Sequence, residues 1–148
     1  MTTKHGNGTD PVVLCVDDEP QVLAALEREL RGCACRVLTA SNGTEAVQIL
    51  EAHQVAVLFC DEAMPGMRGV EVLAHARVHS PHTVRVLLSA HCAEVPVVVS
   101  AVEQAAAARL LPKPWNGETI RQIVSAALKQ MDRTHVVVAG RDGAASAN

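Results

Sequence analysis

The residues of this chain that could do chemistry stand at recurring places, each at the end of a short apolar run. Asp17 and Asp18 follow "VVLCV" (12–16), and Asp61 follows "VAVLFC" (55–60). Ser89 closes "VRVLLS" (84–89), and Lys113 follows "ARLLP" (108–112). The run "CRVLTA" (35–40) ends on nothing comparable. Three carboxylates brought close together repel, and at least one would be driven above its ordinary pKa. A hard divalent cation such as Mg²⁺ relieves that conflict, because it takes oxygen ligands: one or two carboxylates, water and phosphate oxygens. Lys113 adds a further positive charge. In such a setting a carboxylate oxygen of Asp61 can attack a phosphoryl group and hold it as an acyl phosphate. The cation, Lys113 and the Ser89 hydroxyl would then share the phosphoryl oxygens. Each residue alone has an ordinary explanation. Asp17 or Asp18 could cap a helix, and a lysine before proline is usually solvated. Their conjunction, in this strand order, is what points to chemistry.

The elements that must position these residues follow from periodicity. The run 12–16 is short, continuous and rich in β-branched residues, the pattern of a strand buried on both faces, and the runs 35–40, 55–60, 84–89 and 108–112 read as four further strands, the last a short one. Between them, apolar residues recur at helical spacing. Val22, Leu23, Leu26 and Leu30 mark a helix over 19–30, ended by Gly32. Ser41 or Asn42 can cap a helix through Ala52 that turns Ala46, Val47, Ile49 and Leu50 inward. Gly69–Val78 offers Val70, Val72, Leu73 and Ala76 to the core, and Pro81 stops it. A fourth helix is expected over 95–107 despite its β-branched start, and a fifth over 118–131 through Ile120, Ile123, Val124, Ala127 and Leu128. Five strands alternating with five helices predict an α/β doubly wound parallel sheet with right-handed crossovers. Ligands of such sheets sit beyond the carboxyl ends of the strands, where Asp61 is placed. Met64, Pro65 and Gly66 turn the chain directly after it. The 148 residues suit one domain over 11–131, with flexible tails expected at 1–10 and 132–148.

Composition excludes several functions. Aromatic residues are 1% of the chain, too few for base-stacking platforms. The formal net charge of -3, with no dense Lys/Arg run, leaves no footprint for a phosphate backbone, so no nucleic-acid partner is expected. No apolar run reaches the roughly 18 residues of a membrane helix, and the start lacks a signal-peptide core. No membrane partner and a cytoplasmic location are therefore expected. Cys15 and Cys60 read as small core residues, while Cys33 and Cys35 form a C-x-C pair, a weak metal or redox signal. His75 and His79, with His82 close by, have a spacing that can ligate a metal, but no catalytic partner accompanies them. Phosphate-loop and dinucleotide glycine motifs are absent.

Four stretches together carry a resemblance. "VDDEP" with Asp17 and Asp18, "CDEAMPGM" with Asp61, "LLSA" with Ser89 and Ala90, and "PKPW" with Lys113 resemble a bacterial two-component response-regulator receiver domain. The likeness is to the stand-alone, chemotaxis-regulator kind and covers 11–131. It implies a flavodoxin-like sheet of order 2-1-3-4-5 and Asp61 as phosphoacceptor, with Lys113 and Ser89 completing the catalytic set. It implies Mg²⁺, with Mn²⁺ as a substitute, held by Asp18, Asp61 and the backbone carbonyl of Ala63, with Asp17 acting through water. The donor would be a phosphohistidine on a sensor histidine kinase or histidine phosphotransfer protein. Phosphorylation and dephosphorylation would be self-catalysed, unlike the turnover of a conventional enzyme. The Lys113–Pro114 bond matches one that is cis in the family, an isomer accessible mainly before proline. In receivers, the residues corresponding to Ala63 and His91 flank the path of the hydrolytic water. One departure is Leu110, where Tyr or Phe is common, which leaves Ser89 as the intact half of the switch. No DNA-binding or enzymatic pattern follows, so output is expected through an unknown downstream protein unless the chain is part of a longer regulator. The fourth helix, fifth strand and fifth helix would form the signalling face and a homodimer surface. The alternatives are a receiver-fold docking module independent of phosphate and a Mg²⁺-dependent phosphatase. The latter is weakened by Ala63, which stands where such enzymes commonly carry a second acid.

Overall fold

The computed structural model describes residues 10–90 and 109–145, with side chains of the last helix as far as Met131. In chain order the elements are β1 (Val12–Val16), α1 (Pro20–Leu30), β2 (Arg36–Ala40), α2 (Gly43–Ala52) and β3 (Val55–Asp61). They continue with α3 (Gly69–His79), β4 (Val84–Ser89), β5 (Arg109–Pro112) and α4 (Gly117–Ala145). The strands form one parallel sheet of order β2-β1-β3-β4-β5, the flavodoxin-like arrangement.

Strand alternation sorts the apolar runs onto two faces. Leu14, Val16, Leu58, Cys60 and Leu87 point one way, against Ala46, Ile49 and Leu50 of α2 and Val72, Leu73 and Ala76 of α3. Val13, Cys15, Val57, Phe59, Val86 and Leu88 point the other way, against Leu26 and Leu30 of α1 and Ile120, Ile123 and Val124 of α4. Both faces are covered, which is why the strand sequences are mainly apolar, with Arg85 of β4 and Thr39 of β2 the buried polar exceptions within them, short of their last residues. β3, in the middle, is buried at all seven residues, including the acid that ends it.

Local chemistry sets the helix starts. Pro20 opens α1, where a missing N–H costs nothing. The Asn42 side chain accepts from Glu45 N at 2.8 Å and caps α2. The last helix differs from expectation. Its apolar stripe ends near Leu128, yet the backbone stays helical to Ala145, because no proline interrupts that stretch and a started helix adds residues readily. The helix expected over 95–107 lies outside the described residues, as does His91. No helix among the described residues is long and apolar enough to cross a membrane.

Burial pushes the Cys35 thiol up to about 12, and it pushes Cys15 and Cys60 up as well. These are protonated packing groups and poor nucleophiles. Cys33, also raised by burial, is a free thiol like the other three.

Candidate functional site

The register of the sheet builds the site. Val16 of β1 lies beside Cys60 of β3, so the next residues, Asp17 and Asp61, leave neighbouring strands side by side. Parallel strands are about 4.8 Å apart, and the two carboxylates therefore crowd each other. Both are buried, Asp17 completely. Lys113 comes just past the end of β5, two strands away. Its Nζ lies 2.8 Å from Asp17 Oδ2 and 2.8 Å from Asp61 Oδ1. Its backbone N–H donates to Ser89 O at 2.9 Å, which ties the end of β5 to the end of β4. The Lys113–Pro114 peptide bond is cis.

Burial raises the pKa of Asp61 above the ordinary carboxylate value; the hydrogen bond from Lys113 opposes that, and the Asp17 charge adds to it. For Lys113, burial alone would weaken the ammonium. Its hydrogen bonds to Asp17 and Asp61 outweigh the burial and hold its pKa above the ordinary value. One ammonium thus stands between two acids, and the charge at Asp61 is only partly offset.

A second acidic feature lies beside it. Among the described residues, carboxylate oxygens of Asp17, Asp18 and Glu19 all lie within 4.8 Å of one another. Asp17 is buried, and the other two are exposed. Asp17 Oδ1 accepts from Glu19 N at 2.9 Å, which bends the chain from β1 into α1. An all-oxygen, acid-rich donor set suits a hard divalent cation. Glu19 escaped notice in the sequence because it counts there as the first helical residue; the run "DDE" was its visible signal.

The turn after Asp61 is held by Glu62, which sequence reasoning missed. Its backbone N–H donates to Leu88 O at 2.9 Å, and its carbonyl accepts from Met64 N at 3.2 Å and Gly69 N at 3.1 Å. Its carboxylate accepts from Val70 N at 3.0 Å and from the Arg68 guanidinium. Val70 N is one of the amides that a helix start leaves without an internal partner. Glu62 therefore fastens the start of α3 to the end of β3. Gly69 completes the fit: a Cβ there would overlap the Asp61 carbonyl oxygen and lie 2.8 Å from Glu62 Cα. Gly66 turns with φ of 78°, a conformation that suits glycine.

The remaining predicted residues are placed as follows. Ser89 is buried at the end of β4, one residue past Leu88, the register partner of Asp61. Asp18 and Ala63 are exposed at the same edge. Leu110 pairs with Leu87 and packs partly buried against the α2–α3 side. Trp115 packs partly buried against the other face.

A family model described as response regulator receiver domain matches residues 13–125. The chain is 37% identical over 118 residues to the hydrogenase transcriptional regulatory protein HoxA of Cupriavidus necator, covering 77% of this chain and 24% of HoxA. It is 32% identical over 117 residues to the DNA-binding transcriptional regulator NtrC of Escherichia coli, covering 79% of this chain and 24% of NtrC. The chain thus spans about a quarter of the length of these curated relatives. Among solved structures, chemotaxis protein CheY4 of Vibrio cholerae superposes with a TM-score of 0.71 at 26% identity, covering 80% of this chain and 99% of that one.

Proposed function

This chain belongs to the response regulator receiver domain family, and from that premise we propose that it is a phosphoacceptor switch. Asp61 takes a phosphoryl group from a phosphohistidine of a sensor histidine kinase or phosphotransfer protein, and the protein signals through contacts with a downstream partner. The observation that carries this reading is the pair of buried carboxylates, Asp17 and Asp61, sharing the Lys113 ammonium at the end of the central strand.

The step is a displacement at phosphorus. An Asp61 carboxylate oxygen forms the new P–O bond, the P–N bond to the donor imidazole breaks, and the imidazole leaves with the electron pair. Lys113 stays near Asp61 and offsets charge that gathers on the phosphoryl oxygens. The Ser89 hydroxyl moves toward the phosphoryl group and donates to one of those oxygens. Leu110 can neither hydrogen-bond nor stack as a tyrosine would in following that movement, so the response on the β5–α4 side is smaller than a tyrosine would give. Asp18, Asp61 and the Ala63 carbonyl, with Asp17 through water, are the groups suited to hold Mg²⁺ or Mn²⁺. The bound ion would supply positive charge to the transferring phosphoryl group. Loss of the group needs a water in line with phosphorus, opposite Asp61. Ala63, exposed beside that path, offers such a water no hydrogen bond.

Incubation with Mg²⁺ and acetyl phosphate, followed by intact mass measurement, tests the proposal. The parent should gain one acid-labile phosphoryl mass, and Asp61→Asn should gain none. Gain by the variant would move the acceptor elsewhere, and no gain by the folded parent would favour a docking module that works without phosphate.

A further inference from the structure

Every polar group of Glu62 is engaged around the turn that follows Asp61. Its N–H is anchored on Leu88 O of β4, and its carboxylate on Val70 N and the Arg68 guanidinium at the start of α3. The Glu62 side chain is 10% exposed, so water competes little for these bonds. Arg68 N donates to Glu71 Oε1 at 3.3 Å and closes the same helix start. With both ends of the residue fixed, the Glu62 carbonyl is fixed too, and it receives Met64 N at 3.2 Å and Gly69 N at 3.1 Å.

Ala63 lies at the centre of the three-residue turn closed by the Met64 bond. In a trans peptide the N–H and the carbonyl of the same plane point in opposite directions. Because Met64 N–H is turned in toward the Glu62 carbonyl, the Ala63 carbonyl is turned away from it. Among the described residues no hydrogen bond ends on that carbonyl. Ala63 itself is exposed, while the next side chain, Met64, is buried against the α2–α3 side and holds the far end of the peptide. The one backbone carbonyl suited to the ion is thus aimed by bonds that Glu62 makes.

We propose that Glu62 is a positioning residue for the divalent ion: it sets the direction of the Ala63 carbonyl and so tunes the affinity for Mg²⁺. The inference rests on the reading of Asp61 as phosphoacceptor and of that carbonyl as a ligand. Mg²⁺ demands a near-ideal set of oxygens, so a misdirected carbonyl weakens the whole site. Arg68 keeps the Glu62 carboxylate in place and, being half exposed, contributes less than Val70 N does.

The test is calorimetric titration of the full chain with Mg²⁺, with backbone amide exchange measured in its absence. Glu62→Leu should weaken Mg²⁺ binding by about tenfold and speed exchange at Met64, Gly69 and Val70. Glu62→Gln keeps an oxygen for Val70 N and should bind Mg²⁺ within about threefold of the parent. Thr83→Val removes a buried bond of 2.7 Å from Thr83 Oγ1 to Val55 O at the opposite edge of the sheet. That variant should lose stability and keep the parent's Mg²⁺ affinity, which separates aiming of the carbonyl from a general loosening. With acetyl phosphate as donor, Glu62→Leu should need about tenfold more Mg²⁺ for half-maximal phosphorylation and recover most of the parent's rate at saturation. Glu62→Asp, one methylene too short to reach Val70 N, gives the same comparison if the leucine variant folds poorly. Parent-like Mg²⁺ affinity in folded Glu62→Leu or Glu62→Asp, or an equal loss in Thr83→Val, would overturn the proposal while leaving the phosphoacceptor reading intact. Absence of Mg²⁺ binding by the folded parent would overturn the ligand role of the Ala63 carbonyl and this inference with it.

Discussion

Replacing Lys113 with Met removes the one ammonium held between Asp17 and Asp61 and leaves two carboxylates facing each other on adjacent strands. The Lys113 side chain is 15% exposed, and those of Asp17 and Asp61 are 0% and 7% exposed, so solvent does little to compensate. Breaking a buried ion pair by removing one partner costs about 3–5 kcal/mol. Lys113 sits at the rim, which argues for the lower end, and a loss of about 3 kcal/mol lowers the thermal midpoint by roughly 10 °C. The loss should also depend on pH. Burial already raises the pKa of Asp61 in the folded protein, and without Lys113 it rises further. The folded state then holds the proton more tightly than the unfolded chain does. Stability is therefore lost as pH rises from the ordinary carboxylate value of 3.8 through the raised folded value, and the deficit is complete at neutral pH. Urea denaturation at neutral pH and near pH 4, read by circular dichroism and by Trp115 fluorescence, measures both effects. Mg²⁺ should restore part of the loss at neutral pH. A deficit below about 1 kcal/mol, the size of a surface pair, or an equal deficit at both pH values would refute the reasoning.

Asp18→Ala should weaken Mg²⁺ binding by at least about tenfold while leaving the midpoint without Mg²⁺ unchanged, because Asp18 is exposed; equal affinity by calorimetry would remove it from the ion's ligands. Ala63→Asn should speed loss of the acyl phosphate by about two- to tenfold, the worth of one hydrogen bond to the attacking water. Equal or slower decay of the phosphorylated mass would show that this flank does not limit hydrolysis. Gly69→Ala should cost about 1–3 kcal/mol and slow phosphorylation, since its methyl group must push back the Asp61 carbonyl. Parent-like stability and rate would contradict the close approach described for that residue.

The inner strands were legible because they are buried on both faces and are therefore mostly apolar. The runs at 12–16, 55–60 and 84–89 appear in the structure with ends within one residue of where the sequence places them. Alternation of strands and helices put Asp17 and Asp61 at one edge of a parallel sheet; that their strands are neighbours was implied by the family resemblance, and the sheet has that order. The cap of α2 was readable to within one residue, Ser41 or Asn42, because the bond from Glu45 N to Asn42 is local. Glu62 was not, since its role depends on reaching Val70 N eight residues on, after the turn has closed. Glu19 was hidden by serving two purposes at once, as helix start and as a member of the acidic group. The run of α4 to Ala145 was missed because an apolar stripe reports where a helix packs, whereas its backbone can continue beyond the packed part.

The bond between Lys113 and Asp17 joins residues 96 positions apart, and it is delivered by β5, a strand of four residues at the sheet edge. Few backbone bonds hold such a strand, so it belongs to the parts of a fold that open at modest cost. Were it to lift, Lys113 would leave with it and the two acids would face each other without their cation. Occupancy of the edge and readiness of the site are therefore linked quantities. A protein that grips β5 more tightly when Lys113 is seated shifts the chain toward the seated form, and whatever favours seating at the acids tightens the grip by the same factor.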